Sequence, residues 1–226
     1  MQLRTPLEPP AHPGPIDAAS LPAALAALVA LDGDFHLALE SLGPPPLRYR
    51  PPGFETLLRI IVAQQVSLAS AAAIWGRLEA ACRPIEPADF LKLDESALRA
   101  CGFSWQKANY GRSLAELMLS GQLDLAAFDL LDDETAIAQL TQVKGLGRWS
   151  AEVYLLFSHG RPDVFPAADV GLMIGAQRLK RLETRPDAKE LVAMAEAWRP
   201  YRAVAARMLW HLRKVSAVAD DQVTKP

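Results

Sequence analysis

The chain has 226 residues, of which 50% are hydrophobic, with a mean hydropathy of +0.06 and a net charge of −2. This length fits one domain or two small lobes that share a core, and the composition excludes a chain that is disordered overall. Two cysteines are too few for a four-cysteine zinc site or an iron–sulfur cluster, so we expect neither.

The sequence also argues against export and membrane insertion. No apolar run approaches the roughly 18 to 20 residues that a membrane-spanning helix needs. The Pro-rich N-terminus lacks the basic start and apolar stretch of a secretory signal, so we expect a cytoplasmic protein, associated with the nucleoid if it is bacterial. The four histidines are scattered without metal-ligand spacing, so we expect no catalytic metal.

The charges are distributed unevenly along the chain. Residues 144–214 carry 13 Lys or Arg and seven Asp or Glu, whereas residues 114–143 carry six acidic residues and no basic one. A local basic excess on an acidic protein is what a surface that faces duplex DNA requires. A solvated helical surface that happens to be basic explains the same distribution equally well.

The first fifty residues are rich in proline. We expect residues 1–19 to form a loosely held arm. The Ser-Leu-Pro sequence at 20–22 is typical of an N-cap followed by a proline in the first turn, and it predicts a helix that runs to Leu31. Residues 43–53 hold five prolines and cannot be helical.

From Phe54 onward, helical spacing of apolar residues dominates the sequence. Gly102 and Gly121 stand where glycines that end helices belong. Alternating strand patterns are nearly absent. We therefore predict an all-α fold with about ten helices.

The most informative stretch is residues 133–158. An amphipathic helix to about Gln142, a tight Gly145-Leu146-Gly147 turn and a second helix from about Arg148 form a helical hairpin. The N–H groups of the turn and the positive end of the second helix would form an anion site suited to a DNA phosphate, with the leucine of the turn in the core. A plain connection between two helices remains the commoner reading of such a turn.

A second stretch, residues 163–178, places Asp169 after a proline-containing loop and at the start of a helical run. Aspartate is a favoured helix N-cap, and a purely structural role is the commoner one for an aspartate in this setting.

These motifs together resemble the helix-hairpin-helix glycosylase superfamily. The hairpin has the form V-x-G-x-G-R-W, and a Pro-then-Asp loop follows about twenty residues later. The resemblance extends over about residues 50–213, and its order and spacing are closest to the DNA-3-methyladenine glycosylase II family. The further segments that carry it are Phe54–Leu57, Ile61–Ser67, Ala197–Arg202 and Met208–Trp210.

The resemblance implies a compact, two-lobed all-α fold with the active-site cleft between the lobes. We expect residues 1–53 to form an arm and a helix that packs on the core, residues 54–213 to form the glycosylase domain, and residues 214–226 to form a tail. Because the segment before Phe54 is short, we do not expect the additional β-rich domain that some members carry.

The resemblance also assigns chemical roles. It places the catalytic carboxylate on Asp169, which would stabilise positive charge on the deoxyribose as the N-glycosidic bond breaks. Trp149 and Trp210 would line an aromatic pocket for cationic bases, or be ordinary core residues. Phe165 is a weaker pocket candidate, and Tyr154 is another. The tyrosine of the family pocket corresponds to Val153 here, and Tyr154, beside it, points about 100° away on the helix.

The DNA-binding residues follow from the same alignment. The family's wedge, which fills the gap left by a flipped base, corresponds to Gln65, although this glutamine could equally be a buried hydrogen-bonding residue at a helix end. The carbonyls of Thr141, Val143 and Gly145 would hold a structural monovalent cation. The full set of expected DNA contacts is Gln64, Gln65, Ser67, Lys144, Gly145, Leu146, Gly147 and Arg148.

Relatives that also cut the strand carry a Schiff-base lysine two positions after the second hairpin glycine, where this chain has Trp149. The resemblance therefore implies a monofunctional enzyme that leaves an abasic site. With it we expect double-stranded DNA containing damaged bases as the partner, no cofactor and a monomeric state. A glycosylase with another lesion preference or with lyase activity, and a non-catalytic DNA-binding module, remain as alternatives.

Overall fold

The computed structural model describes the backbone of residues 13–223 and the side chains of residues 13–213. This part of the chain forms twelve α-helices and two short 3-10 helices, without any strand, so the all-α prediction is confirmed. The 3-10 helices are Leu125–Leu130 and Glu196–Trp198. The α-helices are Leu21–Leu31 (α1), Asp34–Leu42 (α2), Phe54–Ala63 (α3), Leu68–Ala81 (α4), Pro87–Lys92 (α5), Glu95–Cys101 (α6), Trp105–Leu119 (α7), Asp133–Leu140 (α8), Arg148–Ser158 (α9), Val170–Leu179 (α10), Ala188–Ala195 (α11) and Arg202–Val223 (α12).

The chain divides into two compact units. One unit contains the segment up to Leu47 together with the chain from Gly160 onward, and the other is the continuous segment Arg48–His159. None of the helices in the described part is long and apolar enough to cross a membrane.

In the first unit, helices α10 and α12 pack most closely. Their contact depends on Gly175, because a Cβ atom at this position would overlap the backbone of Leu209. The fully buried Trp198 lies against the rings of Phe35 and Phe165, and its indole N–H donates to Asp32 at 2.7 Å. The middle of α10 and the facing side of α12 therefore lie at short range, and Trp198 packs beside them in the same core.

The proline-rich N-terminal segment is fixed where the structure describes it. The backbone N–H of Ile16, a buried residue, donates to the carbonyl of Gly160 at 2.7 Å. The Asp17 carboxylate accepts the N–H groups of Ala19 and Ser20, so Asp17 holds the turn before α1. The described part of the expected arm is therefore held at Ile16 and in the turn at Asp17, and residues 1–12 lie outside the described residues.

The expected helix at 21–31 is confirmed, but Ser20 does not cap it with its side chain. Its hydroxyl accepts from the N–H of Asp17 and donates to the carbonyl of Pro15. At the other end of the chain, α12 extends to Val223, so most of the expected tail is helical, and residues 224–226 lie outside the described part.

The second unit is built around α3, whose apolar face is buried against α4, α7 and α9. Its core contains Leu57, Ile61, Phe90 and Leu114, each fully buried. The proline-rich stretch before α3 is not helical, as predicted, and Gly102 and Gly121 end α6 and α7 with φ values of 96° and 72°. Cys82 and Cys101 are free and buried, and burial raises the pKa of both thiols.

Candidate active site

The loop that precedes Asp169 is anchored at its first residue. The carboxylate of Asp163 accepts two hydrogen bonds from the Arg202 guanidinium, both at 2.9 Å, and pairs with Arg199 as well. Further along, the N–H of Asp169 donates to the carbonyl of Pro166 at 2.9 Å, which closes a turn. The loop therefore reaches helix α10 in a fixed conformation.

Asp169 is the N-cap of helix α10 and contacts helix α12 as well. Its Oδ1 accepts the backbone N–H of Leu172 at 3.1 Å, which is the cap interaction. The same oxygen accepts the indole N–H of Trp210 at 3.0 Å. Both side chains are partly exposed, so a carboxylate and an indole lie together at the surface of the first unit.

Of the four residues expected to line the pocket, Trp149 and Trp210 are at least partly exposed, whereas Phe165 and Tyr154 are buried. Trp210 adjoins the carboxylate, and Trp149, the second residue of α9, is 37% exposed. Phe165 is a core residue instead, because it is only 7% exposed and packs edge-on against Trp198 at 5.8 Å between ring centroids.

Tyr154 is not a pocket residue either. It is fully buried, its hydroxyl accepts the backbone N–H of Gly53 at 3.0 Å, and its ring lies against His159. Burial raises the pKa of Tyr154 to about 12. The helical rotation of this residue relative to Val153 directs it into the core of the second unit.

The expected hairpin is present as α8, a turn and α9, and the second helix begins at Arg148 as predicted. Gly145 has a φ of 87°, and a Cβ atom at this position would overlap the ring of Tyr110. Leu146 is 3% exposed and holds the turn in the core. Helix α9 has no side-chain cap and no acidic residue in its first turn, so its own sequence leaves the positive end of the helix uncompensated there.

Gly147 differs from Gly145. Its backbone is extended, with a φ of −86°, and nothing lies within 4 Å of the place where a Cβ atom would stand. Neither conformation nor internal packing requires a glycine at this exposed position, so the expectation that both glycines make the turn is wrong for Gly147.

Arg148 was expected to contact DNA, but its guanidinium serves the hairpin itself. It forms a two-pronged ion pair with Glu134 of α8, at 2.6 and 2.8 Å, and a third bond to the buried Glu152 at 2.8 Å. These carboxylates compensate its charge, and the three bonds join α8 to α9. The contact of Arg148 with DNA stays a prediction. Lys144, in contrast, is exposed and forms no ion pair with the described residues.

The segment after α3 carries Gln65, the residue that was expected to act as the wedge. Gln65 is exposed and has a φ of 55°, a left-handed conformation that is unusual for a residue other than glycine. Gln64 is bonded within the unit instead, because its side-chain amide donates to the carbonyl of Gly145 at 2.8 Å. The hydroxyl of Ser67 accepts the N–H of Ser70 and caps α4. Gln64 and Ser67 thus hold the segment, and Gln65 projects from it.

Sequence reasoning missed two residues that support this segment. Lys107 donates to the carbonyl of Val62, near the end of α3, at 2.7 Å, and burial lowers the pKa of this lysine. Tyr110 lies against Gly145 and accepts a hydrogen bond from Gln106. No local signal could identify these contacts, because Lys107 and Val62 are 45 positions apart. A cavity of about 400 Å³ lies among Gln64, Gln65, Val66, Ser104, Gln106, Lys107, Tyr110 and Gly145.

Known proteins resemble this chain in sequence over most of its length. Residues 58–200 match the sequence profile described as HhH-GPD superfamily base excision DNA repair protein. The chain is 36% identical over 177 residues to DNA-3-methyladenine glycosylase 1 of Schizosaccharomyces pombe, which covers 76% of this chain and 75% of that protein. It is 30% identical over 190 residues to DNA-3-methyladenine glycosylase 2 of Escherichia coli, which covers 77% of this chain and 64% of that one.

The fold agrees with a solved structure. The S. pombe 3-methyladenine DNA glycosylase Mag1 in complex with abasic DNA superposes with a TM-score of 0.74 and 32% sequence identity, over 88% of this chain and 98% of that one. The profile match spans more than half of the chain and includes the hairpin and Asp169. The chain belongs to the HhH-GPD superfamily of base excision DNA repair proteins.

Proposed function

We propose that the protein is a monofunctional DNA glycosylase that flips alkylated bases, of the 3-methyladenine and 7-methylguanine type, out of duplex DNA and hydrolyses their N-glycosidic bonds. The observation that carries this proposal is the partly exposed carboxylate of Asp169, held by Trp210 in a chain of this superfamily. Relatives named for 3-methyladenine support the substrate class.

The chemistry needs one carboxylate. As the glycosidic bond lengthens, positive charge develops on the deoxyribose, and a fixed carboxylate stabilises it. Asp169 can also orient the water that attacks the sugar. A base alkylated at N3 or N7 is already cationic and leaves as a neutral molecule, so no separate general acid is required.

Base recognition then depends on aromatic surfaces. The face of an indole attracts a cationic base, with a contribution of about 0.5 to 2 kcal/mol per contact. Trp149 is exposed enough to offer such a face. In the first unit, the indole of Trp210 is an aromatic ring beside the carboxylate of Asp169. A neutral base gains less from either contact, which favours alkylated purines over normal ones.

The hairpin supplies a contact with the DNA backbone that does not depend on the base sequence of the DNA. The first turn of α9 presents backbone N–H groups beside Gly147, where the absence of a side chain lets a phosphate approach closely. The carbonyls of Thr141, Val143 and Gly145 are neutral oxygen ligands that suit a monovalent cation at this turn. Those of Val143 and Gly145 each accept one hydrogen bond, from Leu146 and Gln64, and a carbonyl oxygen retains a second lone pair.

The test compares wild type with Asp169→Asn in single-turnover excision of 7-methylguanine from duplex DNA. We expect the rate to fall by about a hundredfold or more, because a transition-state partner is lost. Affinity for abasic DNA should stay within a few-fold, and this binding is the control for folding. The wild-type product should be an intact abasic strand, because position 149 carries tryptophan instead of lysine.

Each alternative gives a different result. A non-catalytic DNA-binding module would bind the duplex and release no base. A lyase would cut the strand and be trapped on DNA by borohydride. Excision at the wild-type rate by Asp169→Asn would remove Asp169 from the mechanism.

A further inference from the structure

Gly171, the second residue of helix α10, lies next to the proposed catalytic carboxylate. Its φ is outside the left-handed range, so its backbone conformation suits any residue. Glycine in a helix is less favourable than alanine by roughly 1 kcal/mol, and here no turn or cap compensates for that loss. The reason for a glycine must lie in the space around it.

That space is occupied by two functional groups. A Cβ atom on Gly171 would stand 2.8 Å from Oδ1 of Asp169 and 2.7 Å from Nη1 of Arg213, both too short for non-bonded contact. Arg213 is exposed at the end of a long side chain and can swing away. The carboxylate of Asp169 is short, and its Oδ1 is held by the N–H groups of Leu172 and Trp210.

We infer that Gly171 is a positioning residue for Asp169: its missing side chain leaves the room in which the carboxylate accepts the Trp210 hydrogen bond with the Arg213 guanidinium beside it. A methyl group at position 171 displaces Oδ1 from the indole N–H and weakens its cap bond with Leu172, while the rest of the helix stays intact. Displacement of a reacting group by about 1 Å can cost about a hundredfold in rate. The kinetic part of this inference rests on the proposed function.

Four proteins test it: wild type, Gly171→Ala, the Gly171→Ala/Arg213→Ala double variant, and Gly76→Ala as the matched control. Gly76 is also inside a helix, α4, and has nothing within 4 Å of its Cβ position. We expect Gly171→Ala to lower the single-turnover excision rate at saturating enzyme by about 10- to 100-fold. Its affinity for abasic DNA should stay within threefold, and its melting temperature should change little, because the helix propensity gained with alanine offsets the weakened cap bond of Asp169.

A second measurement does not depend on activity. The chain has five tryptophans, so a ¹H–¹⁵N spectrum contains five indole signals, and Trp210→Phe identifies the one from Trp210. In Gly171→Ala this signal should shift in the direction seen in Asp169→Asn, whereas in Gly76→Ala it should not move. A general loss of stability would lower the melting temperature but would not shift the Trp210 indole signal in this direction.

The outcomes separate the two proposals. If wild type releases no alkylated base but the indole signal shifts in Gly171→Ala, the proposed function fails and the positioning role stands. A wild-type rate together with an unshifted signal in Gly171→Ala would overturn the positioning role. Recovery of the rate in the double variant would overturn it as well, because the methyl group would then act through Arg213 alone.

Discussion

The Oδ1 atom of Asp169 accepts two hydrogen bonds of different origin, one from its own helix and one from Trp210 on α12. The sequence allowed a structural cap or a catalytic carboxylate at this position, and the geometry permits both. The cap bond fixes the side-chain rotamer, and a fixed rotamer is what electrostatic stabilisation of a transition state requires. The contact with Trp210 links residues 41 positions apart and has no signal in the local sequence.

A prediction at this scale separates the two contributions of Trp210. Trp210→Phe keeps an aromatic ring and removes the N–H donor. A hydrogen bond to a charged group contributes about 1.5 to 3 kcal/mol, so we expect excision of 7-methylguanine to slow by about 10- to 100-fold. Single-turnover rates measure this, with Trp105→Phe, at a 63% exposed position, as the control. A Phe variant with an unchanged rate would leave only the aromatic surface as the role of Trp210.

Among the elements, the hairpin depends on its two glycines for different reasons. Gly145→Ala places a Cβ atom in the ring of Tyr110 at a positive φ, so we expect a loss of about 2 to 4 kcal/mol in the free energy of unfolding. Gly147→Val should change that free energy by less than about 0.5 kcal/mol and still weaken binding to every duplex alike. Denaturant unfolding and DNA titration test this, and normal binding by Gly147→Val would leave the turn as a connector only.

The ion pairs of Arg148 lead to a separate prediction for the same element. Arg148→Gln should lower the free energy of unfolding by about 1 to 2 kcal/mol, because it leaves the buried Glu152 without this guanidinium. Lys144→Gln should leave stability unchanged and weaken DNA binding more than Arg148→Gln does. The reverse order of DNA affinities in the two variants would restore Arg148 as the phosphate contact.

The sequence predicted those elements whose signals are local. Helix starts, the proline-rich stretch, the glycines that end α6 and α7 and the hairpin turn all depend on neighbouring residues. Residue roles that depend on distant contacts could not be predicted. Tyr154 forms a hydrogen bond with Gly53, 101 positions away, and Gln64 forms one with Gly145, 81 positions away. The guanidinium of Arg148 pairs with Glu134 of the preceding helix.

For the whole molecule, fewer cations of residues 144–214 are available to DNA phosphates than the 13 in the sequence suggest. Arg148, Lys180, Arg199 and Arg202 pair with carboxylates, and Arg207 is buried. A cation that is already paired releases few counterions from DNA, because binding a phosphate would require it to leave its carboxylate. Five exposed cations of this segment form no ion pair with the described residues: Lys144, Arg181, Arg185, Lys189 and Arg213.

The salt dependence of DNA binding follows from this smaller set. Each neutralised phosphate contributes about −0.9 to the slope of log K against log salt, so two to four contacts predict a slope of about −2 to −4. Lys144→Gln should reduce the magnitude of the slope by about 0.9, and Arg99→Gln, exposed on α6 outside the segment, should leave it unchanged. Titration of an undamaged duplex from 50 to 200 mM salt measures all three slopes. An equal effect of both variants would mean that the DNA surface does not follow the basic segment, and a flat wild-type slope would mean that phosphate contacts contribute little to binding.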